Sequence, residues 1–126
     1  MTRTLMLVAL ACAALPATAG AKVSFFHSPS GNIQCEVAYK DARGNYAYCQ
    51  TFSPTASVKL KLNGRSKVCR GGQCVGDGTP DATTLAYGDA IKVGKFRCRS
   101  KTSGMTCRVI GSGHGFTIAQ RGIFRF

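Results

Sequence analysis

Val58-Lys59-Leu60-Lys61-Leu62-Asn63-Gly64, residues 58–64, alternates apolar and basic side chains and then stops at an asparagine–glycine pair. Successive side chains on a strand point to opposite faces, so Val58, Leu60 and Leu62 read as facing a core and Lys59 and Lys61 as facing water. Asn-Gly is the strongest short hairpin signal, because both residues tolerate positive φ. Ser66-Lys67-Val68-Cys69 is therefore expected to return beside Val58–Leu62 as its antiparallel partner.

The same period runs outward in both directions. Val23–Phe26, Ile33–Tyr39 and Tyr46–Phe52 read as strands, separated by the turn-forming Ser28-Pro29-Ser30-Gly31-Asn32 and the polar Lys40–Asn45. Downstream, Gly71-Gly72 and Gly76-Asp77-Gly78-Thr79-Pro80-Asp81 are loops, and Leu85–Asp89 is a brief extended piece and turn. Ala90–Ser100 reads as one long strand with Met105–Ile110 as its hairpin partner, and Phe116–Ala119 and Ile123–Phe126 close the chain. Apolar side chains spaced for a helix recur nowhere. The expected fold is all-β, a small antiparallel β-sandwich or barrel-like domain.

The amino terminus has a different character. Arg3 precedes an apolar run from Leu5 to Leu15, and Ala17-Thr18-Ala19 offers small residues for cleavage. This is the pattern of a secretory signal peptide over residues 1–19, too short and alanine-rich for a spanning helix. The expectation is a secreted or periplasmic protein with a single disulfide-rich β-domain over residues 20–126 and no transmembrane segment in the mature chain.

Seven cysteines occur in the chain, and six lie beyond Cys12. An even number in a short exported chain implies three disulfides in an oxidising compartment. No pair has the C-x2-C spacing of a zinc site, and neither histidine falls at ligand spacing from a cysteine pair. No metal or other cofactor is expected. Six cysteines allow fifteen connectivities. The nearest-neighbour set, Cys35–Cys49, Cys69–Cys74 and Cys98–Cys107, joins residues that hairpins and tight loops bring together, and it is the set expected here.

Several segments carry a family likeness. Ser28-Pro29-Ser30-Gly31-Asn32-Ile33-x-Cys35, Cys74-x-Gly76-Asp77, Leu85-x-Tyr87-Gly88, Cys98-x-Ser100 with Gly104-x-Thr106-Cys107, and Gly113-His114-Gly115-Phe116 follow one another in order. Together they resemble a group of small exported bacterial proteins whose shared domain has no assigned function. The chain departs from that pattern in having no tryptophan, and in carrying Ala119-Gln120 where the tail usually has Ser-Arg. The resemblance implies fold and compartment, and no activity.

Charge is the strongest chemical feature. Of 17 basic residues all but Arg3 lie beyond residue 19, and 16 basic against 5 acidic residues leave a formal +11. Such a balance favours anionic surroundings: an anionic polymer, or a membrane or cell-wall surface. It also serves plain solubility. On a continuous strand, Lys95, Arg97, Arg99 and Lys101 would share one face about 6.6 Å apart, with Phe96 and Cys98 turned inward. A Cys98–Cys107 hairpin would add Arg108 to that face. These five residues are the candidate anion-binding site. Such contacts read charge and not base sequence, so no specific nucleic-acid sequence is expected.

Catalytic readings are thin. His114, within Gly111-Ser112-Gly113-His114-Gly115-Phe116, is expected to be a turn residue, and His27 is the only other histidine. Glu36 is the sole glutamate, and the four aspartates fall in loop-like stretches. Gly76–Asp81 is thin ligation for calcium. The expected role is that of a monomeric, non-enzymatic β-domain with a basic face. Two alternatives stand beside it: a secreted hydrolase acting on a polyanion with His114 as acid or base, and an inhibitor of a secreted enzyme.

Overall fold

A computed structural model of the chain describes residues 20–126. The expected signal peptide, residues 1–19, lies outside the described residues. Eleven strands occur among the described residues: β1 (Lys22–His27), β2 (Ile33–Asp41), β3 (Gly44–Phe52), β4 (Thr55–Lys61), β5 (Ser66–Arg70), β6 (Thr83–Thr84), β7 (Ala90–Val93), β8 (Phe96–Lys101), β9 (Gly104–Val109), β10 (Gly115–Ala119) and β11 (Gly122–Arg125). One 3-10 turn, Gly72–Cys74, follows β5. No helix among the described residues is long and apolar enough to cross a membrane.

The strands form two sheets, β5-β4-β3-β2-β1-β6 and β11-β10-β9-β8-β7. The first is built wholly from strands between residues 22 and 84 and the second wholly from strands between residues 90 and 125. Alternation explains why they close on each other. In β8, Phe96, Cys98 and Ser100 are buried while Arg97, Arg99 and Lys101 are exposed. In β4, Val58 and Leu60 are buried while Lys59 and Lys61 are exposed. Phe26, Val37, Val58 and Leu60 from one sheet meet Phe96, Met105, Phe116 and Ile118 from the other in a single core. Each large side chain buried this way contributes roughly 1.5–3 kcal/mol by leaving water. The sandwich reading of the sequence is thereby met.

Three disulfides complete the frame: Cys35–Cys49, Cys69–Cys74 and Cys98–Cys107. Cys35 and Cys49 are directly opposed between β2 and β3, and Cys98 and Cys107 between β8 and β9. These two bridges lie inside the core, one from each sheet, with the Cys49 and Cys107 sulfurs 3.7 Å apart. Cys69–Cys74 instead ties the 3-10 turn to β5. The connection after that turn lies on the outer side of the first sheet, where Gln50 Nε2 donates to the Gly76 carbonyl and Tyr48 Oη to that of Cys74.

Two expectations change. The stretch Ala90–Ser100 is not one strand: a turn at Gly94-Lys95 folds it into the β7–β8 hairpin. Gly94 has φ +58, as the first position of a type II′ turn requires, and the Tyr39 ring occupies the space a Cβ there would need. The second change concerns β6, which pairs with β1 in parallel over two residues, through Phe26↔Thr83 and His27↔Thr84. All other pairings are antiparallel.

The Asn63-Gly64 hairpin forms as expected, with Val58 opposite Val68. Its loop runs from Leu62 to Arg65, closed by Gly64 N–H donating to the Lys61 carbonyl.

Candidate functional site

The outer face of the second sheet is built by the residues that alternate with its core. Strand pairing sets Lys92 of β7 opposite Arg97 of β8, and Arg97 opposite Arg108 of β9. Three cations thus stand in one cross-strand row, with neighbouring strands only about 4.8 Å apart. The row continues through Gly115 of β10, opposite Arg108, to the Phe126 ring that lies on that glycine. The Arg108 guanidinium sits 5.7 Å from the centroid of the same ring.

A second row pairs Arg99 with Thr106, and Thr106 with Thr117, whose hydroxyls share a hydrogen bond of 2.7 Å. It ends on Phe124 of β11, exposed like Phe126. Arg99 Nη1 donates to the Gly88 carbonyl at 2.8 Å, which fixes that guanidinium against the loop before β7.

Of the five expected site residues, Arg97, Arg99, Lys101 and Arg108 lie exposed on this sheet, three of them along β8. Lys95 does not share their strand. It sits in the β7–β8 turn, so strand alternation does not direct it. Lys92 takes its place in the pattern. The signal was present in the sequence: Val93 and Phe96 are both buried but three residues apart, and an odd spacing between inward positions marks a turn. Lys59 and Lys61 belong to the other sheet and face away from this surface. The Lys59 ammonium lies 4.2 Å from the centroid of the Tyr46 ring.

No acidic side chain neutralises the basic row. The ion pairs among the described residues are both made by Arg43, with Glu36 at 2.7 Å and Asp41 at 3.4 Å. Asp41 first, and then a hydrogen bond to Glu36, raise the Arg43 guanidinium above its ordinary value. Glu36 also accepts a hydrogen bond from Tyr46 Oη at 2.9 Å. Burial, and next that bond, push the Tyr46 phenol up. Burial likewise raises Tyr48. The single glutamate is thus committed to a structural network.

The two histidines are not brought together. His27 ends β1 beside the β1–β2 turn, with Nδ1 2.7 Å from the Ser28 carbonyl and Nε2 3.3 Å from the Thr84 hydroxyl. His114 lies in the β9–β10 loop, where its ring packs against Gly64 of the β4–β5 hairpin. Its backbone N–H donates to Ser112 Oγ. The β1–β2 turn and the β9–β10 loop occupy opposite ends of the sandwich, a strand length of about 20 Å apart. The sulfurs of Cys35, Cys49 and Cys107 do cluster, but all three are bound in disulfides and offer no thiolate to a metal.

Comparison with protein-family models, with curated proteins and with solved structures finds no match to this chain.

Proposed function

We propose that this protein is a non-enzymatic, exported β-domain whose carboxy-terminal sheet binds anionic polymers or surfaces through its outer face. The observation that carries this reading is the unneutralised row Lys92–Arg97–Arg108, extended by Arg99 and Lys101. Directly opposed like charges destabilise a sheet. A bound anion relieves that repulsion, so the cost of the row to the free protein becomes binding energy in the complex. The three disulfides fit an oxidising compartment and support secretion or a periplasmic location.

Binding of this kind is electrostatic, sequence-independent and steeply salt-dependent. The test is retention on immobilised heparin and on DNA across a salt gradient. Arg97→Glu with Arg99→Glu should abolish retention, while Lys67→Glu with Arg70→Glu, on β5 of the other sheet, should leave most of it. Equal loss in both double variants would reduce the face to bulk charge and sink the proposal.

A further inference from the structure

The end of the sandwich away from His114 carries a second feature, which meets the basic face at Lys101. Turns from both sheets meet there: Ser28–Asn32 between β1 and β2, Ser53 between β3 and β4, Tyr87 before β7, Thr102-Ser103 between β8 and β9, and Gln120-Arg121 between β10 and β11. They enclose an open cleft of about 700 Å³, within the range of roughly 300–1,000 Å³ typical of ligand pockets.

Its lining has a distinct chemistry. Hydroxyl and amide groups dominate it, Lys101 and Arg121 are its cations, and no carboxylate reaches it. Neither cation forms an ion pair among the described residues. Strand order sets Gly104 of β9 and Ala119 of β10 between the two cations, and these residues present no more than a methyl group to the cleft. Two strand spacings part the Lys101 backbone from β10, and Arg121 lies beyond it, so the two cations are carried by backbone about 10–14 Å apart. A short polymer with anionic groups on separate units matches two cations rooted that far apart better than one small anion does. At the rim Tyr87 is 47% exposed on the loop before β7, and an exposed tyrosine ring can stack on a ligand.

The rim itself is held firmly. Asn32 Nδ2 donates to the Ser53 carbonyl at 3.1 Å and the Ser53 N–H returns to Asn32 Oδ1 at 3.0 Å, clamping two turns together. Ser28 Oγ accepts from the Ile33 N–H at 3.2 Å and shares a hydrogen bond with Ser30 Oγ. The Gly88 N–H donates to the Ser100 carbonyl at 2.7 Å, which fixes the loop bearing Tyr87 against β8. A preorganised set of polar groups loses little conformational freedom on binding.

The geometry points to a binding site for a short acidic oligosaccharide, one whose repeating units carry carboxylates. Hydroxyl and amide groups match a polyol, Tyr87 offers a stacking face for a pyranose ring, and Lys101 and Arg121 match carboxylates on separate units. A nucleic-acid strand would call for several stacking rings along a basic track, and this cleft has one ring amid hydroxyls.

The site shares only Lys101 with the basic face, and the experiment separates the two. The probe is tetragalacturonate, titrated into the isotope-labelled protein by NMR and followed by calorimetry. Saturable binding is expected, with amide shifts concentrated in Ser30–Asn32, Tyr87-Gly88, Lys101–Gly104 and Gln120-Arg121. Tyr87→Ala should weaken it about three- to tenfold, and Arg121→Gln by a similar factor, with melting temperatures unchanged. The fully methyl-esterified tetramer should bind at least about tenfold more weakly, because both ion contacts go. Lys92→Glu with Arg97→Glu, which breaks the basic row and leaves both the cleft residues and the Arg99–Gly88 contact in place, should leave the shift pattern unchanged. Absence of saturable binding would overturn the assignment. So would an affinity indifferent to Tyr87→Ala and Arg121→Gln, or tighter binding of a single-stranded oligonucleotide at the same residues.

Discussion

Arg97→Glu should make this protein more stable and less retentive at the same time. Arg97 stands directly between Lys92 and Arg108, so one substitution turns two like-charge pairs into two opposite-charge pairs. Each cross-strand pair is worth roughly 0.2–1 kcal/mol in either sense. After allowance for exposure, which keeps such pairs near the lower end, the swing is about 0.5–2 kcal/mol. For a domain of this size that corresponds to a rise in melting temperature of about 3–10 °C.

The assay is thermal unfolding by circular dichroism at low salt and again near 1 M salt, where the screening length falls to about 3 Å. The gain should shrink by half or more at high salt. Arg97→Thr, which removes repulsion without adding attraction, should fall between wild type and Glu. A lower melting temperature for Arg97→Glu at low salt would refute the reasoning, as would a gain indifferent to salt. Either result would mean that the three side chains spread apart in solution and that their repulsion costs the fold nothing.

Other expectations follow from the same geometry. His114→Gln should fold and melt like wild type. Gly115→Val should destabilise by about 1–3 kcal/mol in denaturant unfolding, because a Cβ at that position would strike the Cys107 carbonyl and the Phe126 ring. Replacing Cys98 and Cys107 together by alanine should cost about 2–4 kcal/mol in the same assay, through loss of a nine-residue loop closure and of sulfur packed in the core. Tyr46 and Tyr48 are raised above the usual phenol value, so folding favours their neutral forms. Their contribution is therefore full below about pH 10 and is lost as pH rises through the folded values. Tyr46→Phe with Tyr48→Phe should flatten the fall of stability above pH 10 in pH-jump unfolding.

Much of the fold can be read along the chain because its strands are amphipathic. Val58 to Lys61 and Phe96 to Lys101 each alternate without interruption, and alternation fixes both the strand and the side that is buried. The cysteine pairing was readable for a related reason: Cys35–Cys49 and Cys98–Cys107 bracket single hairpins, and hairpins need no long-range information.

The β7–β8 turn escaped that logic. Gly94-Lys95 continues the apolar–basic rhythm closely enough to pass for more strand, and only the odd step from Val93 to Phe96 betrays the reversal. With the turn missed, Lys92 was missed too, although it completes the row. The parallel β6 is two residues long and owes its place to the loop that carries it, so local sequence says nothing of it. The cleft was invisible for a different reason. Ser28–Asn32, Thr102-Ser103 and Gln120-Arg121 each look like an ordinary turn, and only the stacking of the two sheets gathers them at one end.

The covalent map of the molecule has a consequence for how it can come apart. Among the described residues each disulfide stays on one side of residues 85–89: two lie before residue 75 and the third after residue 97. The two sheets are likewise divided at that point, and a single passage of backbone through Leu85–Asp89 leads from one to the other. A nick in that passage would leave two separately cross-linked pieces with no covalent bond between them among the described residues, held by the facing side chains, the touching Cys49 and Cys107 sulfurs and the hydrogen bond from Arg125 Nη1 to the Ser66 carbonyl. This β-domain is in effect a heterodimer written as one chain, and its two parts are natural candidates for reassembly from separate fragments.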